Sequence, residues 1–192
     1  PGEEDILFAA YARLSARLSA GRDIAEHSAE PLFLVLAPRD IKRGPELVDL
    51  AAGFGLEAGL RSRGEEGGQV LILDTLGELA QCYGQADLAF VGGSLVPQGG
   101  HNPIEPAVHG VPVLFGPHTE DFSEICDELV RCGGGKRITA DSLPETLVAL
   151  RADKKARTMT GRAAQALVER HRGGVRRHVQ AIRGLLAIHN AE

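Results

Sequence analysis

Tryptophan is absent from the 192 residues, and only two tyrosines and six phenylalanines are present. With no aromatics interleaved among its basic residues and no nucleic-acid motif, nucleic acid is not an expected partner. The three cysteines, Cys82, Cys126 and Cys132, are odd in number and lack CxxC spacing, so neither a disulfide framework nor a zinc site is indicated and a reducing compartment is expected. No apolar run approaches the roughly 20 residues of a spanning helix. The opening Pro1-Gly2-Glu3-Glu4-Asp5 has neither the basic flank nor the apolar stretch of a secretory leader. Any membrane contact is therefore expected to be peripheral. His101, His109 and His118 are not spaced like metal ligands, and no metal or other cofactor is expected.

What is present suits one ordinary domain with a real core, covering residues 1–192: 43% hydrophobic and 24% charged positions, with no internal repeat and no second domain. The net charge of -5 is unevenly spread, because Arg151 to Arg183 holds ten Lys/Arg against two acids. This C-terminal basic stretch reads either as a solvated helical face or as a surface for an anionic membrane or a phosphorylated substrate.

Apolar runs bounded by turn residues alternate with segments of helical period, the pattern of βα units around a doubly wound parallel sheet. Strands are predicted at Leu32–Ala37, Glu57–Arg61, Val70–Leu73, Asp87–Val91, Val111–Phe115 and Lys136–Ile138. Helices are predicted at Glu4–Ala20, Pro45–Gly53, from a capping box at Thr75–Glu78 to Gly84, from Asn102 to Gly110, at Asp121–Arg131, from Ser142, at Lys154–Arg170 and at Val175–Ile188.

Chemistry concentrates where strands give way to helices. Gly92, Gly93, Ser94, Gly99, Gly100 and His101 form a long glycine-rich connection that ends in Asn102-Pro103-Ile104-Glu105. Glycines let backbone approach a ligand, a helix start offers N–H groups to a phosphate, and a carboxylate such as Glu105 can take both hydroxyls of a ribose. The same residues also read as well-capped helices with permissive glycines, and the two readings stand side by side. Arg39, after Pro38, could pair bidentately with a phosphate. The turn Leu76-Gly77-Glu78 could read a base edge through its backbone, or could simply cap a helix.

The string Phe90-Val91-Gly92-Gly93-Ser94-Leu95-Val96-Pro97-Gln98-Gly99-Gly100-His101-Asn102-Pro103-Ile104-Glu105-Pro106, followed by Pro112-Val113-Leu114-Phe115-Gly116-Pro117-His118-Thr119, closely resembles the 3-deoxy-D-manno-octulosonic acid (Kdo) transferases. Ala37-Pro38-Arg39 and Leu73-Asp74-Thr75-Leu76-Gly77-Glu78-Leu79 match two further motifs of that family in order. The resemblance implies the Rossmann-like C-terminal half of a two-domain GT-B glycosyltransferase. Such an enzyme works at the cytoplasmic face of the bacterial inner membrane and moves Kdo from CMP-Kdo to a lipid A precursor with inversion. It implies CMP contacts from Pro38, Arg39, the Leu76-Gly77-Glu78 turn, Asn102, Pro103, Ile104 and Glu105. Leu76 stands where many relatives carry Met, an apolar exchange of similar volume. The N-terminal acceptor domain with its catalytic glutamate, and one further strand, would precede Pro1 in relatives. The expectation is a chain without a catalytic residue that binds CMP weakly and transfers nothing alone. A UDP-sugar-dependent GT-B enzyme, a sugar-nucleotide epimerase domain and a non-catalytic nucleotide-binding or membrane-docking module are the alternatives.

Overall fold

The computed structural model describes residues 2–19 and 32–172. The predicted helix Val175–Ile188, and with it Arg176, Arg177 and Arg183 of the basic stretch, lies outside the described residues. Six strands, β1 (Leu34–Leu36), β2 (Ala58–Leu60), β3 (Val70–Ile72), β4 (Ala89–Val91), β5 (Val113–Phe115) and β6 (Gly135–Arg137), alternate with helices α1 (Glu3–Ser19), α2 (Gly44–Gly53), α3 (Leu79–Tyr83), α4 (Ile104–Val108), α5 (Ser123–Cys132), α6 (Leu143–Ala152) and α7 (Lys154–His171).

Every strand pair is parallel, as the βα alternation predicts. The strands form two three-stranded sheets, β1-β3-β2 and β4-β5-β6, and no ladder joins β1 to β4 among the described residues. Hydrophobic periodicity marks a strand but not its neighbour, so the division into two sheets was not readable from the sequence. In the second sheet the middle strand β5 is buried at all three positions, which explains its unbroken Val-Leu-Phe run. Edge strand β1 instead leaves Val35 exposed between Leu34 and the buried Leu36.

Helix α1 joins the halves. Its first turn is acidic at Glu3, Glu4 and Asp5, which suits the positive end of a helix. Phe8 and Tyr11 pack with Leu36, Leu47, Val70 and Ile72 in the core of the first sheet, while Ala10 packs with Leu114, Ile138 and Leu143 beside the second. The Tyr11 hydroxyl lies 2.7 Å from the Leu32 carbonyl and 3.0 Å from that of Gln69, and its burial pushes its pKa up to about 12.

The first turn of α1 also shows that both sheets open to one side. Glu3 accepts hydrogen bonds from the loop after β4, and its neighbour Glu4 pairs with Arg43, in the one-turn helix after β1, at 2.5 Å. The carboxyl ends of β1 and β4 are thus tied to consecutive residues, and the carboxyl edge of open parallel sheets is where ligands bind.

Two predicted details change. The capping box at Thr75–Glu78 does not form: the Thr75 hydroxyl donates to the Glu78 carboxylate instead of accepting from its N–H, and α3 begins only at Leu79. The helix predicted from Asn102 starts later and is short: α4 begins at Ile104 with Pro103 as its N-cap, and Asn102 sits one residue earlier, its Oδ1 accepting from Ile104 N at 3.0 Å.

Candidate functional site

Leu36 and Ile72 are register partners, and Leu73 N donates to Leu36 O at 2.8 Å, so the connections after β1 and β3 leave the first sheet side by side. The first carries Pro38 and Arg39. Arg39 is exposed and makes no hydrogen bond or ion pair among the described residues, which leaves its guanidinium available to an anion. The second carries Leu76, Gly77 and Glu78. Leu76 is 82% exposed, and Gly77 sits at φ +87° with open space where a Cβ would stand. An exposed leucine beside an open, left-handed glycine is the surface against which a flat ring could lie.

Glu78 is not free. Arg61, just after β2, donates to its carboxylate from Nη2 at 2.7 Å and Nε at 3.0 Å. Those hydrogen bonds, with the one from Thr75 and the charge of Arg61, hold the Glu78 carboxyl below its ordinary value. One residue on, Ser62 donates to Asp74 from N at 2.8 Å and from Oγ at 2.5 Å. Burial pushes the Asp74 carboxyl up, but these two bonds and its neighbours outweigh it and hold it low. The turn after β3 is thus clamped from β2 at both ends. The sequence reading missed Arg61 and Ser62 in this role; the signal was their place at and just beyond the end of a predicted strand.

This arrangement makes the turn acid-sensitive. The folded-state value of Glu78 is depressed, so its contribution to stability is present above the ordinary glutamate value of 4.5 and is lost as pH falls through the lower folded value. Arg61→Ala is expected to move the Glu78 titration, followed by carboxyl NMR, back toward that ordinary value. Denaturant melts between neutral pH and about pH 3 should then show a smaller loss of stability in the variant than in the unmodified chain.

In the second sheet the connection after β4 folds back on itself. Gly100 N donates to Gly93 O at 2.8 Å and His101 N to Gly92 O at 3.0 Å, and this return delivers Asn102-Pro103-Ile104-Glu105 to the start of α4. Asn102 Nδ2 lies 3.3 Å from Glu105 Oε1, and Glu105 and Ile104 are exposed. The glycines mostly serve the loop itself. A Cβ on Gly93 (φ +70°) would meet His101, on Gly99 (φ +83°) Asp121, and on Gly100 (φ +80°) the backbone at His118, so close approach to a ligand is not what requires them. Ser94 is fully buried and bridges β4 to β5, donating to Val91 O at 2.5 Å and accepting from Gly116 N at 2.8 Å. The N–H of Ile104 is taken by Asn102, which leaves less of this helix start for a phosphate than the sequence suggested.

Helices α3 and α4 lie together, with Tyr83 and His109 ring centroids 6.4 Å apart. Burial, and then the nearby Glu105 charge, push the Tyr83 phenol up to about 12. Asn102 and Glu105 touch directly, whereas no hydrogen bond or ion pair joins Arg39, Glu78 and Glu105 among the described residues. Arg39, Glu78 and Glu105 each follow the carboxyl end of a strand, β1, β3 and β4 in turn, without being one network. A shallow depression lined by Cys132, Ala163, Ala166, Glu169 and Arg170 lies at the amino-terminal edge of the second sheet, beside the turn into β6, away from all of them. No cluster of His, Cys, Asp and Glu suited to a metal occurs among the described residues.

No protein-family model matches the chain. It is 35% identical over 190 residues to a 3-deoxy-D-manno-octulosonic acid transferase of Haemophilus influenzae, covering 96% of this chain and 42% of that protein. It is 33% identical to the Bordetella pertussis transferase of the same name, covering 94% of the chain and 42% of the relative. The Aquifex aeolicus transferase is 28% identical, covering 90% and 47%. The chain therefore spans less than half the length of these relatives. Its fold is similar to a crystal structure described as the C-terminal CMP-Kdo binding domain of WaaA from Acinetobacter baumannii, with a TM-score of 0.67 and 24% identity over 83% of this chain and 98% of that one.

Proposed function

From the premise that this chain is homologous over nearly its whole length to the Kdo transferases, we propose that it is the donor-binding half of such an enzyme, holding CMP-Kdo while Kdo passes to a lipid A precursor. The observation that carries the reading is an edge of unspent groups. Arg39 makes no hydrogen bond or ion pair among the described residues, Leu76 is bare and Gly77 is open, all on the carboxyl side of the strands where Asn102 and Glu105 also emerge.

Each group has a chemical task. Arg39 pairs with the CMP phosphate and stabilises the negative charge that grows on it as the glycosidic bond breaks. Leu76 packs on the cytosine face while the backbone around Gly77 and Glu78, held still by Arg61, reads the base edge. Glu105, with Asn102 and Ile104 shaping the surface around it and Pro103 buried beneath rather than in contact as expected, accepts the ribose hydroxyls. Inverting transfer also needs a general base at the acceptor hydroxyl, and this reading assigns that role to none of the described residues, so the chain alone is expected to bind donor without turnover.

Membrane contact in this reading is peripheral, since no helix among the described residues is long and apolar enough to cross a membrane. Of the basic residues on α7, Arg157 is spent on the carbonyls of Leu150 and Arg151 and on Asp87. The exposed Lys154, Lys155, Arg162 and Arg170 remain to meet anionic headgroups at the cytoplasmic face of the inner membrane.

A thermal-shift titration tests the nucleotide assignment. CMP is expected to raise the melting temperature more than UMP or UDP at equal concentration, because the ligand bound most tightly by the native state stabilises it most. A larger shift with UDP would move the chain to a UDP-sugar enzyme, and no shift with any of the three would remove the nucleotide reading.

A further inference from the structure

Glu3 is the first residue of α1, and its side chain is buried in the loop after β4, about ninety residues further along the chain. Its carboxylate accepts from three consecutive backbone N–H groups: Gly93 at 2.5 Å, Ser94 at 2.8 Å and Leu95 at 2.5 Å. Three successive amides turned toward one point form a small anion-binding concavity, and here the protein fills it with its own carboxylate. Charge-assisted bonds of this kind are the stronger class, and burial shields them from water.

The loop held in this way is the one that must be fixed. Gly93 sits at φ +70° and its carbonyl receives the N–H of Gly100, while Ser94 bonds to both Val91 and Gly116. Glu3 therefore sets the outgoing limb, and the outgoing limb templates the returning limb that places Asn102 and Glu105. The next residue, Glu4, anchors Arg43 in the connection that follows Arg39, so the first turn of α1 spans the two edges at which phosphate and ribose contacts are assigned.

We infer that Glu3 is a positioning residue for the donor site, an internal anion that holds the glycine-rich loop in its binding shape. The inference rests on the donor-binding reading above for the ligand, but not for the loop geometry. Glu3 touches no ligand in this scheme. Its effect passes through three amides to a loop that carries Glu105, and a displacement of about 1 Å at a remote support is enough to lose binding geometry.

The test is made on the 192-residue chain with Glu3→Ala, and with Glu3→Gln as a second variant that keeps the length and one acceptor but sets an NH2 group against the remaining donors. CMP titration is expected to show affinity weakened about tenfold or more in Glu3→Ala. Amide hydrogen exchange without nucleotide is expected to show lost protection at Gly93, Ser94, Leu95, Gly100 and His101. Formate, a free carboxylate small enough for the emptied concavity, is expected to restore much of both in Glu3→Ala and to change nothing in the unmodified chain. A generally loosened fold would not respond to formate. A folded Glu3→Ala with unaltered CMP affinity overturns the inference, as does weakened binding with unaltered exchange in this loop and no formate rescue. If Glu3→Ala does not fold, Glu3→Gln is read by affinity and exchange in the same way. Failure of both to fold overturns the positioning role in favour of general support. Failure of the unmodified chain to bind CMP instead overturns the nucleotide reading, and the exchange measurement still decides the role of Glu3.

Discussion

Gly161→Ala is expected to lower the stability of the protein by about 3 kcal/mol or more, a fall of roughly 6–12 °C in melting temperature for a domain of this size. The direction is opposite to the usual one, because alanine is favoured over glycine in a helix interior by about 1 kcal/mol. Gly161 lies in the middle of α7, and a Cβ built there would stand 1.8 Å from the carbonyl oxygen of Gly110 and 2.8 Å from its carbon. The obstacle is backbone, in the tight turn that ends α4 before Pro112 and β5, so it cannot rotate away. Either α7 moves off the second sheet, opening the core around Ala164 and Leu167, or the Gly110 turn shifts and carries α4 with it. Gly53→Ala is the control. Gly53 ends α2 with nothing within 4 Å of the added carbon, so it should be neutral or gain up to about 1 kcal/mol. Equal and small effects from both, measured by denaturant melts, would show that the α7 contact is not as tight as it stands here.

Among the described residues periodicity located the six strands within two residues at each end and ordered the helices found there correctly, because each buried stretch is apolar for a reason the chain states locally. The short apolar run Val111–Phe115 reads as a strand, and Val113–Phe115 is one, while Asn102-Pro103 reads as a helix start and α4 begins just after it. Partners across long sequence distances were not legible. Glu3 reads as an ordinary acidic residue at a helix start, and nothing local says that its acceptors are met by amides some ninety residues later. Thr75 and Glu78 fit a capping box in sequence, yet Arg61 from another strand draws the Glu78 carboxylate away and the box does not close. The glycines of the loop after β4 read equally as openings for a ligand or as permissive turn residues, and three of them face His101, Asp121 and His118, which favours the second. Gly77, a less conspicuous one, is open. Local chemistry picked out the candidate segments, and tertiary contacts decided which atoms in them remain available.

That availability sets the expected result for the two charged groups of the proposed donor site. Arg39→Ala and Glu105→Ala should each weaken CMP binding by about 1–3 kcal/mol, roughly ten- to a hundredfold in Kd, by removing a charge-assisted contact to phosphate or to the ribose hydroxyls. Neither should change the melting temperature of the unliganded chain appreciably. Arg39 makes no hydrogen bond or ion pair among the described residues, and Glu105 gives up a 3.3 Å hydrogen bond at an exposed position. Arg39→Lys should recover only part of the loss, since an ammonium cannot offer the two parallel donors of a guanidinium. Because the two residues address different parts of the nucleotide and do not touch, the double variant should lose about the sum of the single losses. Glu78→Ala should behave differently. Its carboxylate is already held by Arg61 and Thr75, so its removal acts by loosening the turn that presents Leu76 and Gly77. Isothermal titration of the three variants separates the cases, and unaltered affinity in both Arg39→Ala and Glu105→Ala would leave the exposed edge without the ligand assigned to it.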